Sequence, residues 1–135
     1  MTIPNPLNGA RIFIVEDESL VALMIEAMVE ELGGQVIGSA RRIDEALDFV
    51  GSSHEQIDIA LLDINLGGMH SYEIAQAVTG WGIPLVFSTG YNDGSIIEEW
   101  RSQPLLSKPF QLAELQAALG NAIASRTSAS RTSAA

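Results

Sequence analysis

The chain has 135 residues and a mass of 14.4 kDa, one domain's length and enough to bury a core. Lysine and arginine number 7 against 17 aspartates and glutamates, a net charge of −10; nucleic acid is therefore not expected as a direct partner, since polyphosphate binding needs a basic surface. The lack of cysteine excludes disulfides, thiolate zinc sites and thiol nucleophiles, and no apolar run approaches the ~20 residues of a membrane span.

Residues 1–8, "MTIPNPLN", are broken by prolines and read as a lead-in. No basic-then-apolar leader opens the chain, so a cytoplasmic location without membrane attachment is expected. Apolar runs then alternate with amphipathic segments. "RIFIV" (11–15) reads as a first strand. After Ser19, positions Val21, Met24, Ile25, Met28 and Leu32 form a helical stripe that Gly33 and Gly34 stop. "QVIGSA" (35–40) is a second strand, and Ile43, Ala46, Leu47 and Val50 mark a second helix. "IDIALLD" (57–63) is a third strand, followed by a short helix on Tyr72, Ala75 and Val78 that ends near Gly80.

"IPLVFST" (83–89) gives a fourth strand and residues 96–101 a weak fourth helix, the element expected to move. "LLS" (105–107) is a fifth strand, and Leu112, Leu115, Leu119, Ala122 and Ile123 stripe a fifth helix. The final stretch, 125–135, repeats Ser-Arg-Thr-Ser-Ala and has no apolar face, so a disordered tail is expected. The domain is assigned to residues 9–124. No second domain is expected after it, which makes a stand-alone domain without an attached output module the expectation.

Strand alternating with helix five times argues for an α/β fold with a five-stranded parallel sheet. Several runs are continuously apolar, as strands covered on both faces require, and right-handed crossovers place helices on both sides.

In such a sheet the strand C-termini share one edge, where open α/β sheets bind ligands. The first strand ends at Glu16, Asp17 and Glu18, the third at Asp63, the fourth at Ser88 and Thr89, and the fifth at Lys108. Lys108 is the only lysine of the chain, set in "LLSKPF" directly before Pro109. Clustered carboxylates repel and raise one another's pKa; an oxygen-seeking cation such as Mg²⁺ offsets this. A lysine supplies a compact charge for phosphate oxygens, and the Thr89 hydroxyl one more hydrogen bond. The set describes a carboxylate nucleophile for phosphoryl transfer. Singly, each residue has a structural explanation: Asp17 and Glu18 as helix caps, Thr89 as a strand former, Lys108 as the counterion of a buried acid. Their coincidence at one edge does not.

"IFIVEDE", "ALLDINLGG", "FSTGY" and "LLSKPF" together resemble the receiver domain of bacterial two-component response regulators, over about residues 9–124. The resemblance implies a flavodoxin-like (βα)5 fold with strand order 2-1-3-4-5. It implies Asp63 as phospho-acceptor, served by a phosphohistidine on a histidine kinase or histidine phosphotransfer protein. It further implies Asp17, Asp63 and the Asn65 backbone carbonyl as Mg²⁺ ligands, with Glu16 acting through water. Thr89 matches the switch hydroxyl, Lys108 the phosphate-contacting lysine, and Pro109 the proline after a cis peptide. Such proteins are signalling switches that assist their own phosphorylation and dephosphorylation, not enzymes in the ordinary sense, and they signal or relay phosphate by contact with a downstream protein.

Two positions depart from the common pattern. Leu105 stands where many receivers carry an aromatic switch residue, and Tyr91 in "FSTGY" is similar to a subgroup of single-domain receivers ending Phe-Ala-Thr-Gly-Tyr, associated with stress signalling; Tyr91 is expected to take over the aromatic part of the switch. In "NLGG", Gly67 and Gly68 replace a common proline and read mainly as a tight turn. The face of the fourth helix, fifth strand and fifth helix is the expected partner surface. His54 is read as solvated, His70 as a surface cap near the Asp63 loop, and Trp81 and Trp100 as packing residues, with Trp100 also a candidate for a partner surface.

Three other readings compete. A pseudo-receiver would bind partners without phosphorylation; Leu105 keeps this reading open, while Asp63, Asp17 and Lys108 argue against it. A phosphatase of the haloacid dehalogenase type needs a second aspartate where Asn65 stands. A flavodoxin-like cofactor carrier needs a phosphate-cradling loop where "EDE" stands, and those acids repel a phosphate.

Overall fold

The computed structural model describes residues 7–90 and 96–134, with side chains to residue 125. In chain order the elements are strand β1 (Arg11–Val15), helix α1 (Ser19–Glu31), β2 (Gln35–Ala40), α2 (Ile43–Ser53), β3 (Ile59–Asp63), the two-residue strands β4 (Asn65–Leu66) and β5 (Met69–His70), α3 (Tyr72–Gly80), β6 (Leu85–Thr89), β7 (Leu105–Ser107) and α4 (Leu112–Ala134). β1, β2, β3, β6 and β7 form one parallel sheet in the order β2-β1-β3-β6-β7. Numbered among themselves, these five strands stand in the expected order 2-1-3-4-5. No described helix is long and apolar enough to cross a membrane.

The strand sequences divide the core by parity. Ile12, Ile14, Ile59, Leu61 and Val86 face one side, packed against Ile25 and Val29 of α1 and Leu115 and Leu119 of α4. Phe13, Val15, Ala60, Leu62 and Phe87 face the other, against Ala46 and Val50 of α2 and Ile74 and Val78 of α3. Alternate side chains of a strand point to opposite faces. An unbroken apolar run is therefore what a central strand with helices on both sides requires. β1, β3 and β6 have this pattern and are almost wholly buried.

Several features differ from the sequence reading. The fourth helix is a single 3₁₀ turn, Glu98–Trp100, among the described residues. Of the apolar residues in 96–101, Ile97 stays exposed, and one turn suffices to bury Trp100, which meets Phe87 edge-on with ring centroids 6.0 Å apart. Trp100 is therefore a core residue, not part of a partner surface. His54 is only partly solvated: its half-buried ring stacks on Trp81 at 3.5 Å, with Nδ1 3.2 Å from the Val50 carbonyl. Trp81, expected to pack, is over half exposed beyond that stack.

The lead-in is docked from Leu7 onward: Leu7 is buried and its N–H donates to the Leu32 carbonyl at 3.1 Å. At the other end α4 continues to Ala134. No glycine or proline follows Gly120 to stop a helix, and alanine, serine and arginine all tolerate one.

Candidate functional site

Because the sheet is parallel, the C-terminal ends of β1, β3, β6 and β7 form one rim. Asp63 is the last residue of β3 and pairs in register with Ser88 of β6. Thr89 closes β6 opposite Ser107, and its carbonyl accepts the Lys108 N–H at 2.8 Å. This backbone bond fixes where the lysine leaves the sheet. The Lys108–Pro109 peptide is cis.

The lysine side chain turns into the rim. Nζ donates to Asp63 Oδ2 at 3.0 Å and lies 2.6 Å from Glu16 Oε1 as an ion pair. The side chains of Glu16, Asp63 and Lys108 are 1%, 4% and 17% exposed, so all three charges are withdrawn from water. The remaining carboxylate oxygens find backbone donors: Glu18 N–H to Glu16 Oε2 at 3.1 Å, and Asn65 N–H to Asp63 Oδ1 at 3.2 Å. Glu16 Oε1 is buried without a hydrogen bond of good angle, leaving the ammonium as its ionic partner.

One lysine does not balance two buried carboxylates. Burial pushes the Glu16 carboxyl up to about 7, against the opposing pull of Lys108 and the Glu18 amide, and the Asp63 charge pushes it the same way. Asp63 is also raised, again by burial first, with Lys108 and the Asn65 amide pulling it down. For Lys108, burial alone would lower the pKa; hydrogen bonds and charge from the two acids more than reverse this and hold it above the usual lysine value. The rim thus combines a deficit of positive charge with two acids whose pKa values are raised by burial, an arrangement that an additional cation would relieve.

The donor set fits a hard divalent ion. Glu16, Asp17 and Glu18 can each offer one oxygen, all within 4.8 Å of one another, with no nitrogen or sulfur ligand among them. Asp63 joins this group through Lys108, which touches both Asp63 and Glu16. Asp17 Oδ2 accepts the Gly67 N–H at 2.9 Å.

The predicted residues therefore do not all stand alike. Glu16, Asp63 and Lys108 are in direct contact, with Asp17 beside Glu16. Thr89 reaches the rim, where its hydroxyl donates to the Gly90 carbonyl at 3.4 Å, a long contact. Asn65 uses its side-chain oxygen to accept the Gly68 N–H at 2.8 Å. His70 stacks on Tyr72 at 5.1 Å. Tyr91 lies outside the described residues. Glu18 was readable only as a helix cap. It occupies that position before α1 but makes no side-chain capping bond, and instead offers an oxygen to the acid group. The run of three acids was the available signal.

Known proteins resemble this chain along most of its length. The solved structure of SdrG from Sphingomonas melonis Fr1 is 38% identical with a TM-score of 0.77, covering 86% of this chain and 97% of that one. That of the anti-anti-sigma factor PhyR from Bartonella quintana is 29% identical with a TM-score of 0.79, covering 93% and 51%. The phyllosphere-induced regulator PhyR of Methylorubrum extorquens is 35% identical over 127 residues, 91% of this chain and 47% of that protein. The chain thus spans about half the length of the curated relatives it matches. Residues 12–120 match the response regulator receiver domain, and the chain belongs to that family of two-component signalling proteins.

Proposed function

We propose that this receiver accepts a phosphoryl group on Asp63 from a phosphohistidine of a histidine kinase or histidine phosphotransfer protein, and passes the signal on by protein contact. The observation that carries the reading is the Lys108 ammonium 3.0 Å from the buried Asp63, beside an oxygen-rich acid group in which Glu16 is also buried. In the transfer, an Asp63 oxygen attacks phosphorus, a P–O bond forms, and the P–N bond breaks with its electron pair returning to the imidazole. Lys108 then contacts an equatorial phosphoryl oxygen, and the Thr89 hydroxyl turns toward another. Asp17, Asp63 and the Asn65 carbonyl would hold Mg²⁺, with Glu16 acting through water; the ion supplies positive charge for the phosphoryl oxygens when bound.

The burial of Asp63 matters here. A carboxylate in water is a weak nucleophile toward phosphorus, and a desolvated one beside fixed cations is prepared for the reaction. Tyr91 is assigned the aromatic part of the switch, since Leu105 of the edge strand β7 has no hydroxyl and is 45% exposed. One similar protein is described as an anti-anti-sigma factor, a name denoting action on another protein, and this supports a protein target over DNA. The net charge of −10 points the same way, and a cytoplasmic location suits a partner of that kind.

The test is direct. Full-length protein is incubated with Mg²⁺ and a small acyl phosphate, and intact mass is followed beside Asp63→Asn. One added phosphoryl group, absent in the variant, is the expected result. No uptake with either Mg²⁺ or Mn²⁺ would make the chain a binding module independent of phosphorylation.

A further inference from the structure

We infer that the β4–β5 hairpin is a backbone clamp on the acid group, in which the Gly67 amide positions Asp17 for a divalent cation. The inference rests on the proposed function, because it concerns the cation that serves Asp63.

Gly67 and Gly68 are the two residues between Leu66 of β4 and its partner Met69 of β5. Both have positive φ, +59° and +91°. Two-residue hairpins with left-handed backbone at both central positions strongly favour glycine or asparagine. Crowding is not the reason for glycine here: a Cβ built at either position meets nothing within 4 Å. What glycine supplies is the direction of the backbone. The turn aims the Gly67 N–H at Asp17 Oδ2, 2.9 Å away and 50 residues earlier in the chain. The Gly68 N–H is taken by Asn65 Oδ1 at 2.8 Å, so the first residue of the hairpin closes its own turn.

Asp17 needs such a partner. Lys108 ties down Glu16 and Asp63 but makes no ion pair with Asp17. Among the described residues, the Gly67 amide is the only hydrogen-bond donor to the Asp17 carboxylate. Backbone donation to one oxygen of the carboxylate restricts its rotation, while leaving the second oxygen for a cation. The segment that follows the phospho-acceptor therefore also orients a ligand carried by β1's loop. Asn65 and Gly67 couple the acceptor strand to the cation in the same two turns of chain.

Gly67→Pro deletes the donor and cannot adopt positive φ. In the full chain, the Mg²⁺ dissociation constant measured by calorimetry should rise about tenfold, the lower range for losing a partner that orients a metal ligand. Gly67→Ala keeps the N–H at the cost of a strained turn and should show a smaller rise. Amide exchange measured by NMR without metal gives a second arm: Gly67 should be protected in the wild type and lose that protection in Asp17→Ala. This arm involves no change in the hairpin and stands even if the proline variant does not fold. Wild-type Mg²⁺ affinity in Gly67→Pro, or an unprotected Gly67 amide in the wild type, overturns the clamp. Either result leaves phosphoryl uptake at Asp63 untouched. Failure of the wild type to bind Mg²⁺ overturns the clamp together with the proposed Mg²⁺-dependent function.

Discussion

At the N-terminal ends of β1 and β3, Arg11 and Asp58 meet through two side-chain hydrogen bonds of 3.2 Å, and Asp58 also accepts the Arg11 N–H at 2.7 Å. At the opposite rim of the same strands, Lys108 meets Glu16 and Asp63. The first pair is partly open to water, its side chains 42% and 33% exposed, and joins one acid to one cation. The second is closed to water and has two acids for one cation. An exposed, balanced pair fastens two chain segments at little cost and for little gain. A buried, unbalanced group is expensive to hold, and it persists where the imbalance serves chemistry.

That contrast can be broken in order of effect. Lys108→Ala leaves two buried carboxylates without a counterion and should cost about 3 kcal/mol at pH 7.5, read as a fall in the urea midpoint. The loss should shrink at pH 5, where the acids can neutralise themselves. The pH dependence of the wild type without metal comes next. Glu16 has a folded pKa of about 7 against 4.5 for a free glutamate, so the folded state binds more protons between those values. The stability this group contributes is full below about 4.5 and is lost as pH rises through 7; Asp63, also raised, adds to the same slope. In EDTA the chain should therefore lose on the order of 2 kcal/mol between pH 5 and pH 8, and Glu16→Gln should flatten the profile. A rise in stability over that range would contradict the assignment.

Adding Mg²⁺ at ten times its dissociation constant should restore about 1.4 kcal/mol at pH 8. It should restore less at pH 5, where protons compete for the same oxygens. Arg11→Ala should change least: its midpoint should stay close to wild type at every pH, sharpening the difference between the two ends. A loss as large as that of Lys108→Ala would show that the exposed pair carries the fold after all.

How legible the site was depended on which contacts follow from position alone. Asp63 and Lys108 could be placed together from sequence because each ends a strand and parallel strands end at one edge. Glu16 was assigned a water-mediated role, but its contact with Lys108 at 2.6 Å depends on the rotamer the lysine adopts over a packed rim. The Gly67 amide was invisible for a similar reason. Two glycines announce a turn, but not which side chain, 50 residues away, the turn will face. His54 misled because a polar "SSHEQ" neighbourhood says nothing of Trp81, which arrives from the end of α3 to cover it.

What the sequence determined by itself was periodicity. Unbroken apolar runs specified central strands, stripes at helical spacing specified their covering helices, and the punctuation between them placed acids and lysine at strand ends. Local chemistry is sufficient for this, since side-chain alternation and helical pitch are properties of the backbone. Only the tertiary structure decided how charge and hydrogen bonds are shared at the rim. Those interactions join atoms far apart in the chain, and their strength is set by burial, which no stretch of sequence carries alone.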